Sequence, residues 1–253
     1  MVKRPVENIR VVMVETTHPG NIGAAARAMK TMGYSNLYLV KPKIYPNAEA
    51  TARAAGADDI LAKAVVCDSL EQALQGCVTV AASTARPRTI SQPVFTPREY
   101  ASKLSEMVKQ GPVALVFGRE SSGLSNEELE HCNVILQIPT NPHFSSLNVA
   151  SAVQILCYEF IQVLQPGNTE KTNVEIDDQA KVKLATADEM NYFYDHLEKS
   201  MIDVGFLNPE QPRKLMRRLK SLFNRANLDE NEMSILRGFL AAVQEATSKK
   251  KIK

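Results

Sequence analysis

The sequence is short of the residues that build metal centres and membrane anchors. It holds four cysteines and four histidines. Cys67, Cys77, Cys132 and Cys157 form no C-x-x-C pair and the histidines have no zinc-ligand spacing, so the thiols read as buried and reduced and no metal is expected. No stretch approaches the roughly 20 apolar residues that a membrane helix needs, and the start, MVKRPVENIR, has no apolar h-region. The expectation is a cytoplasmic chain with no membrane partner. Phosphate fingerprints are missing as well. Neither G-x-G-x-x-G nor G-x-x-x-x-G-K-[ST] occurs, and YLVKPK carries lysine where a dinucleotide fold would carry an acid. His143 with Ser145 or Ser146 suggests a hydrolase, but there is no G-x-S-x-G elbow and no assignable carboxylate. A net charge of +2 excludes little, so the distribution of charge has to carry that part of the reading.

What is present is an alternation. Runs at 9–14, 36–40, 64–67, 78–83, 113–118 and 134–139 are almost continuously apolar, the pattern of strands covered on both faces. Helix-like segments lie between them at about 20–32, 50–55, 69–75, 97–109, 125–131 and 146–164. The fold class is therefore α/β around a mostly parallel sheet, over residues 1–165. Residues 166–187 are polar, hold proline and glycine, and read as a linker. Three amphipathic segments follow at about 188–203, 210–226 and 229–246, so 188–253 reads as a small all-α domain.

The middle of those segments is the most unevenly charged part of the chain. Between Arg213 and Leu228 there are six basic residues and no acidic one. On a helical wheel Leu215, Met216, Leu219, Leu222 and Phe223 share one arc, while Arg213, Lys214, Arg217, Arg218, Lys220 and Arg225 occupy the other. A solvated surface helix is one reading; a seat for RNA or DNA phosphate is the other, because six like charges without counter-charges repel one another.

Polar loops gather at the strand ends, where ligands of open α/β sheets bind. HPGNIGAAARAM opens a helix with Asn21 in its first turn and Arg27 about two turns in; the plain alternative makes Asn21 an N-cap and Arg27 a surface residue. VALVFGRESSGLSNEEL runs from a buried strand into Gly118, Arg119 and Glu120. IPTNPHFSSLNVASAV brings Ser145, Ser146 and Asn148 to the start of a long apolar helix, whose N–H groups suit an anion. The fourth strand ends in STARPRT.

Three of these stretches, NIGAAAR (21–27), GRESSGL (118–124) and SLNVA (146–150), in this order and at the ends of alternating strands, resemble the motifs of the SPOUT superfamily of RNA 2′-O-ribose methyltransferases. The likeness spans about residues 7–164. The opening segment, STAR and the helical extension are similar to the TrmJ-type tRNA (cytidine/uridine-2′-O-)-methyltransferases. The resemblance implies a C-terminal trefoil knot, which chain statistics do not anticipate. It implies S-adenosylmethionine held by Ser83, Thr84, Ala85, Gly118, Arg119, Glu120, Ile138, Ser145, Ser146 and Leu147. It also implies Arg27 and Asn21 facing the ribose, Glu120 and Asn148 fixing loop geometry and cofactor, and Ser146 helping to place the ribose. A homodimer is implied, with α-helix 146–164 packing on the core and a partner, and tRNA is the implied substrate, methylated at position 32 of the anticodon loop. Methylation of ribosomal RNA, a non-catalytic RNA-binding protein on the same scaffold, and a doubly wound nucleotide-binding enzyme remain as alternatives.

Overall fold

The computed structural model describes residues 5–85, 92–164, 183–211 and 214–250. Seven parallel strands form one sheet in the order β3-β2-β1-β6-β4-β7-β5, with β1 Ile9–Val14, β2 Asn36–Val40, β3 Val65–Cys67, β4 Thr79–Ser83, β5 Val94–Phe95, β6 Val113–Phe117 and β7 Val134–Leu136. Six of these coincide, within a few residues, with the apolar runs of the sequence. The two-residue β5 has no such run and is held only as an edge, where Gln137 N–H bonds Phe95 O at 2.9 Å and Ile135 N–H bonds Pro93 O at 2.9 Å. The last strand among the described residues, β7, is inserted between β4 and β5.

The continuous apolar runs have a simple cause: both sheet faces are covered. Val11 and Met13 of β1 belong to one core cluster with α1 (Pro19–Thr31), α5 (Pro97–Gln110) and α7 (Val149–Leu164), while Val12 and Val14 belong to the opposite cluster with α4 (Leu70–Leu74) and α6 (Asn126–Leu129). Two further short helices, α2 (Ala48–Ala54) and α3 (Asp58–Ala62), follow β2. Of the apolar residues available on α7, Val149, Val153, Leu156, Cys157 and Phe160 all face the core, and Ala152 is half-buried. These side chains are used up within the chain.

The glycines of the first turn serve helix packing. A Cβ at Gly23 would lie 2.0 Å from the Ala50 carbonyl oxygen, so α1 and α2 touch backbone to backbone. At Gly20 the obstacle is the Glu49 carboxylate at 2.7 Å, the movable end of a side chain.

Helices α8 (Ala187–Asp203), α9 (Leu215–Ala226) and α10 (Glu230–Lys250) pack around Met190, Phe193, Tyr194, Leu228, Met233 and Leu240 in a core of their own. The span expected to be a linker lies largely outside the described residues, but its end is tied down. Leu184 pairs with Asp229, Ala185 N–H bonds Leu228 O at 2.8 Å, and Ala187 N–H bonds Cys77 O at 2.8 Å. The Asp188 carboxylate accepts from Gly76 N–H at 2.9 Å, fixing α8 to the turn after α4. Among the described residues no helix is long and apolar enough to cross a membrane.

The packing predicts opposite outcomes for two glycine substitutions. Gly23→Ala forces α1 from α2 and lowers stability in urea denaturation by about 1–3 kcal/mol. Gly238→Ala, in exposed α10 with nothing within 4 Å of the new methyl, leaves stability unchanged or raises it by up to about 1 kcal/mol.

Candidate active site

The carboxyl ends of β4, β6 and β7 surround a cavity of about 360 Å³, within the range of small-molecule sites. All ten residues expected at a cofactor line it: Ser83, Thr84, Ala85, Gly118, Arg119, Glu120, Ile138, Ser145, Ser146 and Leu147. Asn148 lines it too. Phe117, Ser121, Gly123, Thr140, Val149 and Ala152 complete the wall without having been singled out. Ser121 and Gly123 sit inside a motif that sequence reading had reached, whereas Val149 and Ala152 look like ordinary core positions of a helix and carry no signal.

Three loops far apart in sequence are joined here by a relay of amides. Asn148 Nδ2 donates to Asn21 Oδ1 at 2.9 Å, and Asn21 Nδ2 donates to a Glu120 carboxylate oxygen at 2.9 Å. Thr17 supplies Glu120 with its N–H at 3.1 Å and its hydroxyl at 2.9 Å, and His18 N–H approaches at 3.3 Å. Asn148 Oδ1 in turn accepts Ala150 N–H at 2.9 Å, capping α7. The helix begins at Val149, so Ser145 to Leu147 form a loop against the cavity rather than a first helical turn. Asn21 is neither the N-cap of α1, a place held by His18, nor part of the cavity wall; it is the clamp between Glu120 and Asn148. Burial would raise the Glu120 pKa, but the Asn21 amide and the N–H and hydroxyl donors from Thr17 outweigh it and hold the group down at about 2.

Arg119 lines the cavity, yet its guanidinium is spent elsewhere. Nε and Nη2 meet the Glu15 carboxylate at 3.2 and 2.8 Å, Nη1 and Nη2 meet Glu128 at 2.9 Å each, and Nη1 also reaches Gly123 O at 3.3 Å. All five donors of the fork are engaged, which leaves Arg119 as the tie between the end of β1, its own loop and the Ser125–Glu128 capping box of α6. Gly118 is likewise set by the loop: a Cβ there would lie 2.2 Å from the Gly123 carbonyl carbon. The strand ends share a further device. Glu15 after β1 and Lys41 after β2 adopt left-handed φ of 46° and 45°, and their N–H groups close on Val40 O and Cys67 O of the neighbouring strands. The turn re-aims Glu15 toward Arg119 and Lys43.

The cavity can therefore do specific things. Its wall offers serine and threonine hydroxyls beside an apolar slot of Phe117, Ile138, Leu147, Val149 and Ala152. Among the lining residues the one cation, Arg119, is neutralised by two carboxylates, so no cationic side chain there is free to pair with a phosphate chain. This geometry suits a nucleoside with small polar substituents and disfavours NAD or ATP.

Arg27 is an exposed residue of α1 outside the cavity wall. The basic segment is also rearranged relative to expectation. Arg213 lies outside the described residues, and Lys214, Arg218 and Arg225 are exposed. Arg217 pairs with Glu130, at the end of α6, and Lys220 is half-buried with its ammonium 5.8 Å from the Tyr194 ring centre. The residues of α9 that are buried are Ser221 and Asn224, whereas Leu222 is exposed. The apolar arc is used in part, with Met216 and Phe223 packed on the helical core and Phe223 edge-on to Phe193 at 4.9 Å, but α9 also docks by a polar edge: Asn224 donates to Glu130 O at 2.7 Å and accepts from Tyr194 hydroxyl at 2.7 Å, while Asn133 donates to Asn224 O at 3.1 Å.

The relay gives a test by pH. Glu120→Gln replaces an acceptor of several donors by a group that repels some of them, which costs about 1–2 kcal/mol at neutral pH given partial exposure. Because the folded pKa is depressed, the carboxylate's contribution is full above about pH 4.5 and is lost as pH falls toward 2. The stability gap between Glu120→Gln and the unsubstituted protein should close over that window in denaturation curves.

Comparison with known proteins bears on all of these features. The SpoU rRNA Methylase family matches residues 8–158, and the C-terminal domain of the tRNA methyltransferase TrmJ matches residues 188–252. A tRNA (cytidine/uridine/adenosine-2′-O-)-methyltransferase TrmJ of Pseudomonas aeruginosa is 49% identical over 95% of both chains, and a tRNA (cytidine/uridine-2′-O-)-methyltransferase TrmJ of Photorhabdus laumondii is 46% identical over 96% of this chain and 100% of its own. The crystal structure of TrmJ from Z. mobilis superposes with a TM-score of 0.79 at 31% identity, over 93% of this chain and 98% of that one. With the three motif loops drawn into one cavity and a second matched domain behind them, the chain belongs to the SpoU methylase family and is of its TrmJ type.

Proposed function

We propose that this chain is a cytoplasmic S-adenosylmethionine-dependent tRNA (cytidine/uridine-2′-O-)-methyltransferase, acting on the ribose at position 32 of the anticodon loop. The observation that carries the reading is the relay Asn148–Asn21–Glu120 at the rim of a cavity with no free cation. Ser83 to Ala85, the Gly118–Glu120 loop, Ile138 and Ser145 to Leu147 would hold the cofactor. When bound, it supplies a methyl group already activated on a sulfonium, so the protein has only to align the acceptor and manage one proton.

Arg27 takes the acceptor side. A guanidinium is protonated at ordinary pH and has no lone pair to offer, so its role is to orient the 2′-hydroxyl and stabilise the developing alkoxide. The proton leaves to a substrate phosphate oxygen. Because Arg27 does not line the cavity of its own chain, a second copy is needed to bring one guanidinium to each cavity, and the protein acts as a homodimer. Lys214, Arg218 and Arg225 hold the tRNA body by its phosphates, with Arg217 keeping their helix in place.

Two measurements test this. Arg27→Ala and Arg27→Lys should lower turnover of tRNA at least about 100-fold, as loss of a transition-state donor does, with cofactor affinity by calorimetry unchanged. Mixing Arg27→Ala subunits with subunits made cofactor-deficient by Gly118→Val should restore part of the activity; no restoration would remove the shared site, and the modified ribose is then mapped in the product. Replacing Lys214, Arg218 and Arg225 together by Gln should weaken tRNA binding and flatten its dependence on log salt by about 2–3 units. An unchanged slope would remove α9 from the RNA interface.

A further inference from the structure

The loop that carries Ser145 to Leu147 has a second feature, which the cavity does not use. Phe144 is 81% exposed, the largest exposure of any large apolar side chain among the described residues. It is not on a slack segment. His143 N–H bonds Asn141 Oδ1 at 2.9 Å, Phe144 N–H bonds Asn141 O at 2.9 Å, and Thr140 hydroxyl bonds Ser145 O at 3.2 Å. Pro142 stiffens the same turn. The ring is thus presented bare by a turn closed on both sides, between Thr140 and Ser145, which both line the cavity.

We propose that Phe144 is the platform on which the base of the nucleotide being methylated stacks. The inference rests on the proposed function and adds to it. A 2′-hydroxyl delivered to the cavity carries its own base at the next ring atom, so that base must come to rest on the rim. An aromatic ring held in place binds a splayed base at little entropic cost. Stacking also explains a breadth that edge reading would forbid: the relatives named above act on cytidine and uridine, in one case also adenosine, and every base has a π face.

The test is a double-mutant cycle on the full-length protein with two tRNAs, one intact and one with an abasic ribose at the methylated position. Phe144→Ala should raise the KM for intact tRNA about tenfold, with the KM for S-adenosylmethionine and the number of subunits in the assembly, read from its mass in solution, unchanged, and Phe144→Trp should restore it. Removing the base should cost the unsubstituted protein a similar factor and cost Phe144→Ala almost nothing. Additive effects would overturn the proposal. So would a rise in cofactor KM or a shift in mass, which would make the ring a cofactor or subunit contact. If the unsubstituted protein fails to methylate intact tRNA, the functional reading falls and this inference with it; turnover of intact tRNA with an additive cycle sinks only the platform.

Discussion

The site depends on a carboxylate that must remain charged. Glu120 gathers donors from Thr17, His18 and Asn21, and through Asn21 it fixes the amide of Asn148. An asparagine can donate and accept at once, which is why two of them in series carry a single polarity from the end of β6 to the start of α7. A neutral group at position 120 would leave both amides free to flip. With it ionised, the order of donors and acceptors has one solution, and the loops of three separate strands share one geometry.

Arg119 does for the outer side of the loop what Glu120 does for the inner side. Adjacent residues of opposite charge point to opposite partners, Arg119 toward Glu15 and Glu128, Glu120 toward Thr17 and Asn21. Because Arg119 is saturated by two carboxylates and Glu120 is held ionised by neutral donors, the cavity wall gains rigidity and keeps the negative charge of Glu120. A fixed carboxylate at the wall is an environment that favours a cationic donor.

Much of this was legible in the chain. Buried parallel strands announce themselves by unbroken apolar runs, and the motif loops could be placed at their ends from the position of Gly118, Asn21 and Asn148 alone. What failed has physical reasons. Strand β5 is two residues long, below any period. Asn21 reads either as a cap or as a group facing the ribose, because caps and clamps use the same amide, and only the partner 127 residues away reveals the clamp. Arg119 lines the cavity, but its tie to Glu15 cannot be read from sequence because the counter-charge lies 104 residues away. Helix α9 seats Met216 and Phe223 of its apolar arc on the helical core, but its fully buried positions are Ser221 and Asn224, on a polar seam that no hydrophobic pattern encodes.

That seam has a consequence. Glu128 and Glu130 stand two residues apart at the end of α6: the first grips Arg119 in the cavity loop, the second grips Arg217 in the basic helix. One short turn of backbone is therefore the common strut between the cavity loop and the basic helix α9. A substitution in α9 that shifts Glu130 is felt by Glu128 over a few ångströms of covalent chain, so changes selected in α9 bear at the same time on the wall of the cavity.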